Sequence, residues 1–138
     1  MLRMDAAAID RFLIEQFPQA KAAGFTIEAL DEDHLVLALE PGVGHLRPGG
    51  TVSGPTLMTM ADTTTFLLLL ARLGPVALAV TTNLNIHFMR KPEPATLRGE
   101  ARLLKLGQRI AVAEVRLYGA DPSTLYAHAT VSYSIPPG

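Results

Sequence analysis

The sequence predicts an α+β domain in which one antiparallel sheet wraps around a long buried helix, and three observations predict it. Residues 56–73 are apolar on nearly every helical face, from Leu57, Met58 and Met60 to the run Leu67–Leu70, so that segment belongs inside the protein. On either side of it, at 25–40 and again at 80–135, apolar and polar residues alternate with the period of strands. The expected inner faces of the later strands hold Gly99, Ala101, Ala111, Ala113, Ala127 and Ala129, small residues that let a helix come close.

Each element has its own signal. From Asp5 to about Gln19, Ile9, Phe12, Leu13 and Phe17 recur at three- to four-residue spacing, an amphipathic surface helix that Pro18 and Gly24 end. Phe25–Asp31 and His34–Glu40 alternate on either side of Asp-Glu-Asp and read as a hairpin. Residues 41–54 hold five glycines and two prolines, a loop with tight bends. Gly54-Pro55 opens the central helix, where the missing proline N–H is harmless, and Gly74-Pro75 stops it. Within it Thr63-Thr64-Thr65 oppose helix by propensity, because β-branched side chains lose χ1 freedom, so packing has to override them.

Four strands follow. In Val80–Met89, Val80, Thr82, Leu84, Ile86 and Phe88 alternate with Thr81, Asn83, Asn85, His87 and Met89. Leu97–Leu103 leads into a Gly107-centred turn over Lys105–Arg109, and Arg109–Tyr118 and Leu125–Ile135 complete the set. The chain reads as one domain over 1–138, with an N-terminal helix and connector at 1–24 and a core at 25–135.

Composition narrows the function. The 138 residues are 49% hydrophobic and carry 12 Lys+Arg against 13 Asp+Glu, a formal charge of −1. A single core at this length buries roughly two-thirds of the unfolded surface, which disfavours two-domain cofactor enzymes. Scattered basic residues give neither a nucleic-acid footprint nor a polybasic membrane surface. The longest stretches free of Asp, Glu, Lys and Arg, Leu73–Met89 and Pro122–Gly138, contain His and Pro, so no membrane-spanning helix is expected. Asp5 and Asp10 fall where a signal peptide needs an apolar segment, and the expected location is the cytoplasm. Without cysteine there are no disulfides, thiolate nucleophiles or sulfur-bound zinc. His34, His45, His87 and His128 lack metal-ligand spacing, so no metal is expected.

Asp62 is the only ionisable residue between Arg47 and Arg72. It stands eight residues after Gly54, too far into the helix to cap it. A carboxylate buried there costs several kcal/mol unless it is paired or hydrogen-bonded. It reads either as a functional group or as a residue solvated on one narrow face beside Thr59 and Thr63. The Gly54 N–H is an orphan donor at a helix start, which reads either as an oxyanion-type site or as ordinary turn chemistry. Together they suggest a carbonyl bound between donor and carboxylate.

These residues resemble a known family. His45–Thr64 (HLRPGGTVSGPTLMTMADTT), Val80–Pro92 (VTTNLNIHFMRKP) and Lys105–Arg109 (KLGQR) are similar to the hotdog-fold acyl-CoA thioesterases of the phenylacetate-degradation, PaaI-like type. The resemblance runs over about residues 25–135. Its pattern is Asn, a Gly-containing turn, His-Gly-Gly, then Asp or Glu eight residues beyond the first Gly of the pair. It implies a hotdog fold in which the Gly54 N–H polarises a thioester carbonyl and Asp62 is nucleophile or general base. Thr81, with Thr82 one residue away, would orient the attacking water.

The resemblance also implies a homodimer or a dimer of dimers, with the subunit contact along the strand after the helix. Asn83 and Asn85 would lie at that seam, and the site would be completed across it. Arg90, Lys91, Lys105 and Arg109 resemble positions that meet coenzyme A phosphates; a solvated surface charge is the other reading of each. Three positions depart from the pattern: Ser53 stands where the family has His, Pro55 where it has Gly, and Arg47 where it has Asn. Ser53 keeps a hydroxyl for the substrate end, and Arg47 either pairs with Asp62 or stabilises transition-state charge. The implied activity is hydrolysis of a small or medium acyl-CoA, aliphatic or aromatic, in a pocket shaped by Leu57, Met58, Met60 and Phe66. No cofactor is expected, coenzyme A being part of the substrate. A non-catalytic acyl-CoA binding module of the same fold is the alternative. A hotdog enoyl-CoA hydratase ranks last, because its neighbouring Asp/His arrangement is not visible.

Overall fold

The eight consecutive residues Thr64–Ala71 have nothing polar in their side chains apart from two hydroxyls, and the fold is arranged round them. In the computed structural model, which describes residues 1–137, they lie in the second half of α3 (Gly54–Leu73). The other elements are α1 (Ala6–Gln16), α2 (Pro18–Ala22), β1 (Phe25–Leu30), β2 (His34–Leu39), β3 (Val80–Phe88), β4 (Leu97–Leu106), β5 (Ile110–Tyr118) and β6 (Leu125–Ser134). All strand pairings are antiparallel, in one sheet of order β1-β2-β4-β5-β6-β3. α3 packs on β2 to β6, the hotdog arrangement. No helix among the described residues is long and apolar enough to cross a membrane.

Packing overrides propensity in α3 as expected. Thr64 and Thr65 are fully buried, and their hydroxyls turn back to donate to the carbonyls of Met60 (2.5 Å) and Ala61 (2.9 Å). That removes the penalty of unpaired buried hydroxyls. Opposite them, a Cβ on Gly99 would sit 3.0 Å from Thr64 Oγ1, so only glycine fits without displacement. The small inner-face residues alternate with large ones across the sheet. Gly99 lies between Leu37 and Leu117, Ala101 between Leu35 and Val115, and Ala129 between Ile86 and Val115. Large beside small gives an interdigitated layer rather than a void.

Two expectations are corrected. The N-terminal helix ends at Gln16, because Pro18 has no N–H to continue it and instead starts α2. The helix is amphipathic as expected: it buries Ile9, Phe12 and Leu13 against the later half of α3. At the other end of the chain β4 continues through Lys105 and Leu106, leaving a shorter turn around Gly107.

In β3 the register shifts between Thr81 and Asn83, so Thr82 is bulged. An extra residue reverses the alternation locally. Thr81 therefore lies opposite inward-facing Tyr133 and shares a face with Leu84 and Ile86, while the Thr82 hydroxyl reaches the Ser132 carbonyl at 3.3 Å. Among the described residues β3 pairs only with β6, which leaves one side of a nine-residue strand open.

Candidate functional site

The first half of α3 is not buried all round. Pro55, Met58, Thr59, Asp62 and Thr63, spaced as one helical stripe, are exposed or half-buried, whereas Thr64–Ala71 are buried on every side. Asp62 thus lies on a narrow accessible face, but it is not simply solvated. Its Oδ1 accepts from Thr81 Oγ1 at 2.5 Å and from the Tyr133 hydroxyl at 2.9 Å. The same hydroxyl lies 3.2 Å from the Asp62 backbone carbonyl. Tyr133 is 3% exposed, and burial foremost pushes its hydroxyl well above the ordinary value of 10.0, so it remains a protonated donor. Two donors hold one carboxylate oxygen, and Oδ2 has no donor among the described residues.

Asp62 lines a cleft of about 390 Å³ whose walls include the rings of Phe12, Phe17, Phe66 and Tyr133. Phe66, one helical turn on, stacks against Tyr133 with ring centres 6.1 Å apart, and Phe17 meets Phe66 edge-on at 6.0 Å. Phe12 and Gln16 of α1 complete that side, and no Lys or Arg lines the cleft. Tyr133 and the three α1 and junction residues were not among the sequence candidates. The available signal was Tyr133 on the inner face of β6, since a buried phenol hydroxyl needs a partner.

A second cleft, of about 430 Å³, lies at the start of α3. Ser53 is the N-cap: its Oγ accepts from the Thr56 N–H (3.3 Å) and lies 2.7 Å from Thr56 Oγ1. With that donor engaged and Pro55 lacking one, Gly54 supplies the free N–H of the first turn. The Phe88 ring lies 3.4 Å from where a Gly54 Cβ would be. Arg47, Arg90 and Lys91 line this cleft together with Leu57 and Phe88.

The structure therefore separates residues that the sequence suggested would meet. Gly54 and Asp62 are about 12 Å apart along one helix, at 1.5 Å per residue, and belong to different clefts. No single carbonyl reaches both within one chain. Arg47 makes no ion pair with Asp62 and lies in the Gly54 cleft. Met60 is fully buried and its terminal methyl points towards Gly99, so it cannot line an acyl pocket. Leu57 belongs to the Gly54 cleft and Phe66 to the Asp62 cleft, while Met58, 41% exposed, lines neither.

The four remaining cations form two groups. Arg90 and Lys91 follow the end of β3, whereas Lys105 and Arg109 flank the β4–β5 turn beside its start, since Ile110 and Val80 both pair with Ser134. Asn83 and Asn85 are exposed on the outer face of β3, opposite Ser132 and Thr130.

Comparison with known proteins agrees with this fold. The model of the thioesterase superfamily matches residues 49–132. Among solved structures, a candidate thioesterase from Silicibacter sp. TM1040 is 45% identical, with a TM-score of 0.90 over 99% of this chain and 95% of that one. Two others show the shared fold alone. A thioesterase from Haemophilus influenzae has 16% identity and a TM-score of 0.85 over 97% of this chain and 92% of its own. A variant of the phenylacetic acid degradation protein PaaI from Thermus thermophilus has 22% identity and a TM-score of 0.74, over 86% of this chain and 99% of that one. No curated protein matches the chain. With more than half its length matched by the family model and a 45% identical relative over nearly all of it, this chain belongs to the thioesterase superfamily.

Proposed function

We propose that the protein is an acyl-CoA thioesterase whose site is built from two copies of the chain. The observation that carries the reading is Asp62, held through one oxygen by Thr81 and Tyr133 beside a cleft that holds four aromatic rings and no cation. The open edge of β3 supports pairing with a second copy. This edge, VTTNLNIHF, has no Pro, Lys, Arg, Asp or Glu to discourage pairing. Antiparallel pairing of β3 with its counterpart sets the start of one strand beside the end of the other. The Asp62 cleft of one copy then faces Gly54, Arg90 and Lys91 of the second, with Asn83 and Asn85 near the seam. Lys105 and Arg109 stand on the same side as that cleft and add to the cationic rim.

In this arrangement the thioester carbonyl accepts from the Gly54 N–H of the second copy, at the positive end of its helix. Attack builds charge on the carbonyl oxygen, and a fixed backbone donor stabilises that charge without reorganising. Asp62 either attacks the carbonyl carbon, giving a mixed anhydride that water then hydrolyses, or removes a proton from water that attacks directly. By either route the C–S bond breaks, coenzyme A leaves as thiolate and takes a proton, and the acyl group departs as a carboxylic acid. In single turnover in ¹⁸O-water, label in the Asp62 carboxylate identifies the anhydride route with water attacking at the Asp62 carbonyl, whereas attack at the acyl carbon labels the product by either route. The Arg and Lys side chains meet phosphates, for which their charge is suited. Coenzyme A enters as substrate, and no cofactor takes part.

A panel of short, medium and aromatic acyl-CoAs tests the reading by release of free thiol. Asp62→Asn is expected to lower turnover by about a hundredfold or more, the scale of a lost acid–base group. Unchanged turnover in that variant contradicts the mechanism. Binding of acyl-CoA without thiol release by the native protein replaces it with a binding module. A monomeric mass by light scattering at micromolar concentration removes the two-copy site.

A further inference from the structure

Resting on the acyl-CoA reading, we infer that Phe17, at the junction of α1 and α2, sets how long an acyl chain the Asp62 cleft accepts. The two clefts divide the substrate by charge. The Gly54 cleft carries three cations suited to phosphates, and the Asp62 cleft carries none and is walled by rings, so the acyl group belongs in the latter. From the carboxylate the helix fixes the path. Phe66 follows Asp62 by four residues on the same face, and Phe17 lies edge-on against Phe66, 6.0 Å between ring centres and 77° between planes. A chain leaving the reacting carbon along α3 therefore meets Phe66 first and Phe17 next.

Phe17 is placed there by local sequence. The residue before a proline is driven out of the α region, and Phe17, preceding Pro18, has φ −144° and ψ 61°. That kink ends α1 and turns the ring onto the cleft. α1 itself is anchored by buried Ile9, Phe12 and Leu13, so the ring is held by a packed helix rather than a loose segment. Yet Phe17 is 39% exposed, so it stands at the rim and not in the core. It also lies outside residues 49–132, the part matched by the superfamily model, so the shared core does not fix its identity.

The test measures kcat/KM for straight-chain acyl-CoAs from acetyl to lauroyl with the native protein, Phe17→Ala and Phe17→Trp. Phe17→Ala is expected to raise the ratio of long- to short-chain kcat/KM by about tenfold and Phe17→Trp to lower it, the discrimination that a few methylenes command in an apolar pocket. Ile14→Ala, on an exposed side of α1 away from the cleft, serves as control and leaves the profile where it was. Melting temperatures confirm that each variant folds. An unaltered chain-length profile in both Phe17 variants, with the native protein active, overturns the role of Phe17 and leaves the thioesterase reading standing. A matching shift in Ile14→Ala also overturns it, by showing that any disturbance of α1 suffices. A native protein that releases thiol from no member of the series overturns the reading beneath it.

Discussion

The two clefts along the exposed stripe of α3 differ in nearly every chemical respect. One has a carboxylate fixed by two hydroxyls, four aromatic rings and no cation; the other has a free backbone N–H at a helix start, two arginines and a lysine, and no acid. Each lacks what the other has. A carbonyl undergoing attack needs a donor on its oxygen and a base or nucleophile at its carbon, within hydrogen-bond reach of one another. Eight residues of helix hold those two functions about 12 Å apart, so on the proposed reading one chain presents two half-sites. The open edge of β3 offers the means to join them, because its two ends coincide with the two clefts: Thr81 at the Asp62 end and Phe88 against Gly54.

Substitutions at the two ends should fail in different ways. Beyond Asp62→Asn, the largest effect is expected from Thr81→Val, which keeps the shape and removes one donor to Oδ1. It should lower kcat by roughly ten- to a hundredfold with KM little changed, the pattern of an interaction made in the transition state. A rise in KM alone would move Thr81 from the reaction to binding. At the other cleft the double variant Arg90→Ala, Lys91→Ala should raise KM for acyl-CoA by about tenfold and leave kcat intact, and the difference should shrink with added salt, as charge contacts to phosphate do. If it leaves KM untouched, the cationic end does not hold the nucleotide.

The smallest effect on the chemistry is expected from Gly99→Ala, which touches neither cleft. Its methyl would sit 3.0 Å from Thr64 Oγ1, so the Thr64 side chain has to give way in a closely packed layer. The expected loss is about 1–3 kcal/mol of stability by overpacking, measured by denaturant unfolding, with kcat per folded molecule retained. A selective loss of kcat would show that the registry of α3 against the sheet tunes one half-site.

Much of the fold was legible because it rests on local patterns. Apolar residues on nearly every face of residues 56–73 called for a buried helix, and Gly99, Ala101 and Ala129 marked the strand faces that would receive it. Asp62 stood out for the same reason, as the only ionisable residue between Arg47 and Arg72. What escaped depends on relations between segments. The bulge at Thr82 arises from pairing with β6, and nothing within residues 80–89 announces that Thr81 rather than Thr82 turns inward. Phe12 and Phe17 read as the apolar face of a surface helix; only the packing of α1 against Phe66 makes them walls of a cleft. The spacing of Gly54 and Asp62 was in plain view, but its consequence lies in helical rise, which converts eight residues into a distance no carbonyl bridges.

Mixed assembly tests the two-copy site most directly. Gly54→Pro removes the free N–H at a first helical position where proline is tolerated, and Asp62→Asn removes the carboxylate. Each variant alone should be nearly inactive. Unfolded together in equal amounts and refolded, they should recover about a quarter of native thiol-release activity, because half the pairs are mixed and each mixed pair regains one intact site of two under two-fold symmetry. Activity that stays at the level of the separate variants, although native mass spectrometry shows mixed pairs present, would contradict a site shared between copies.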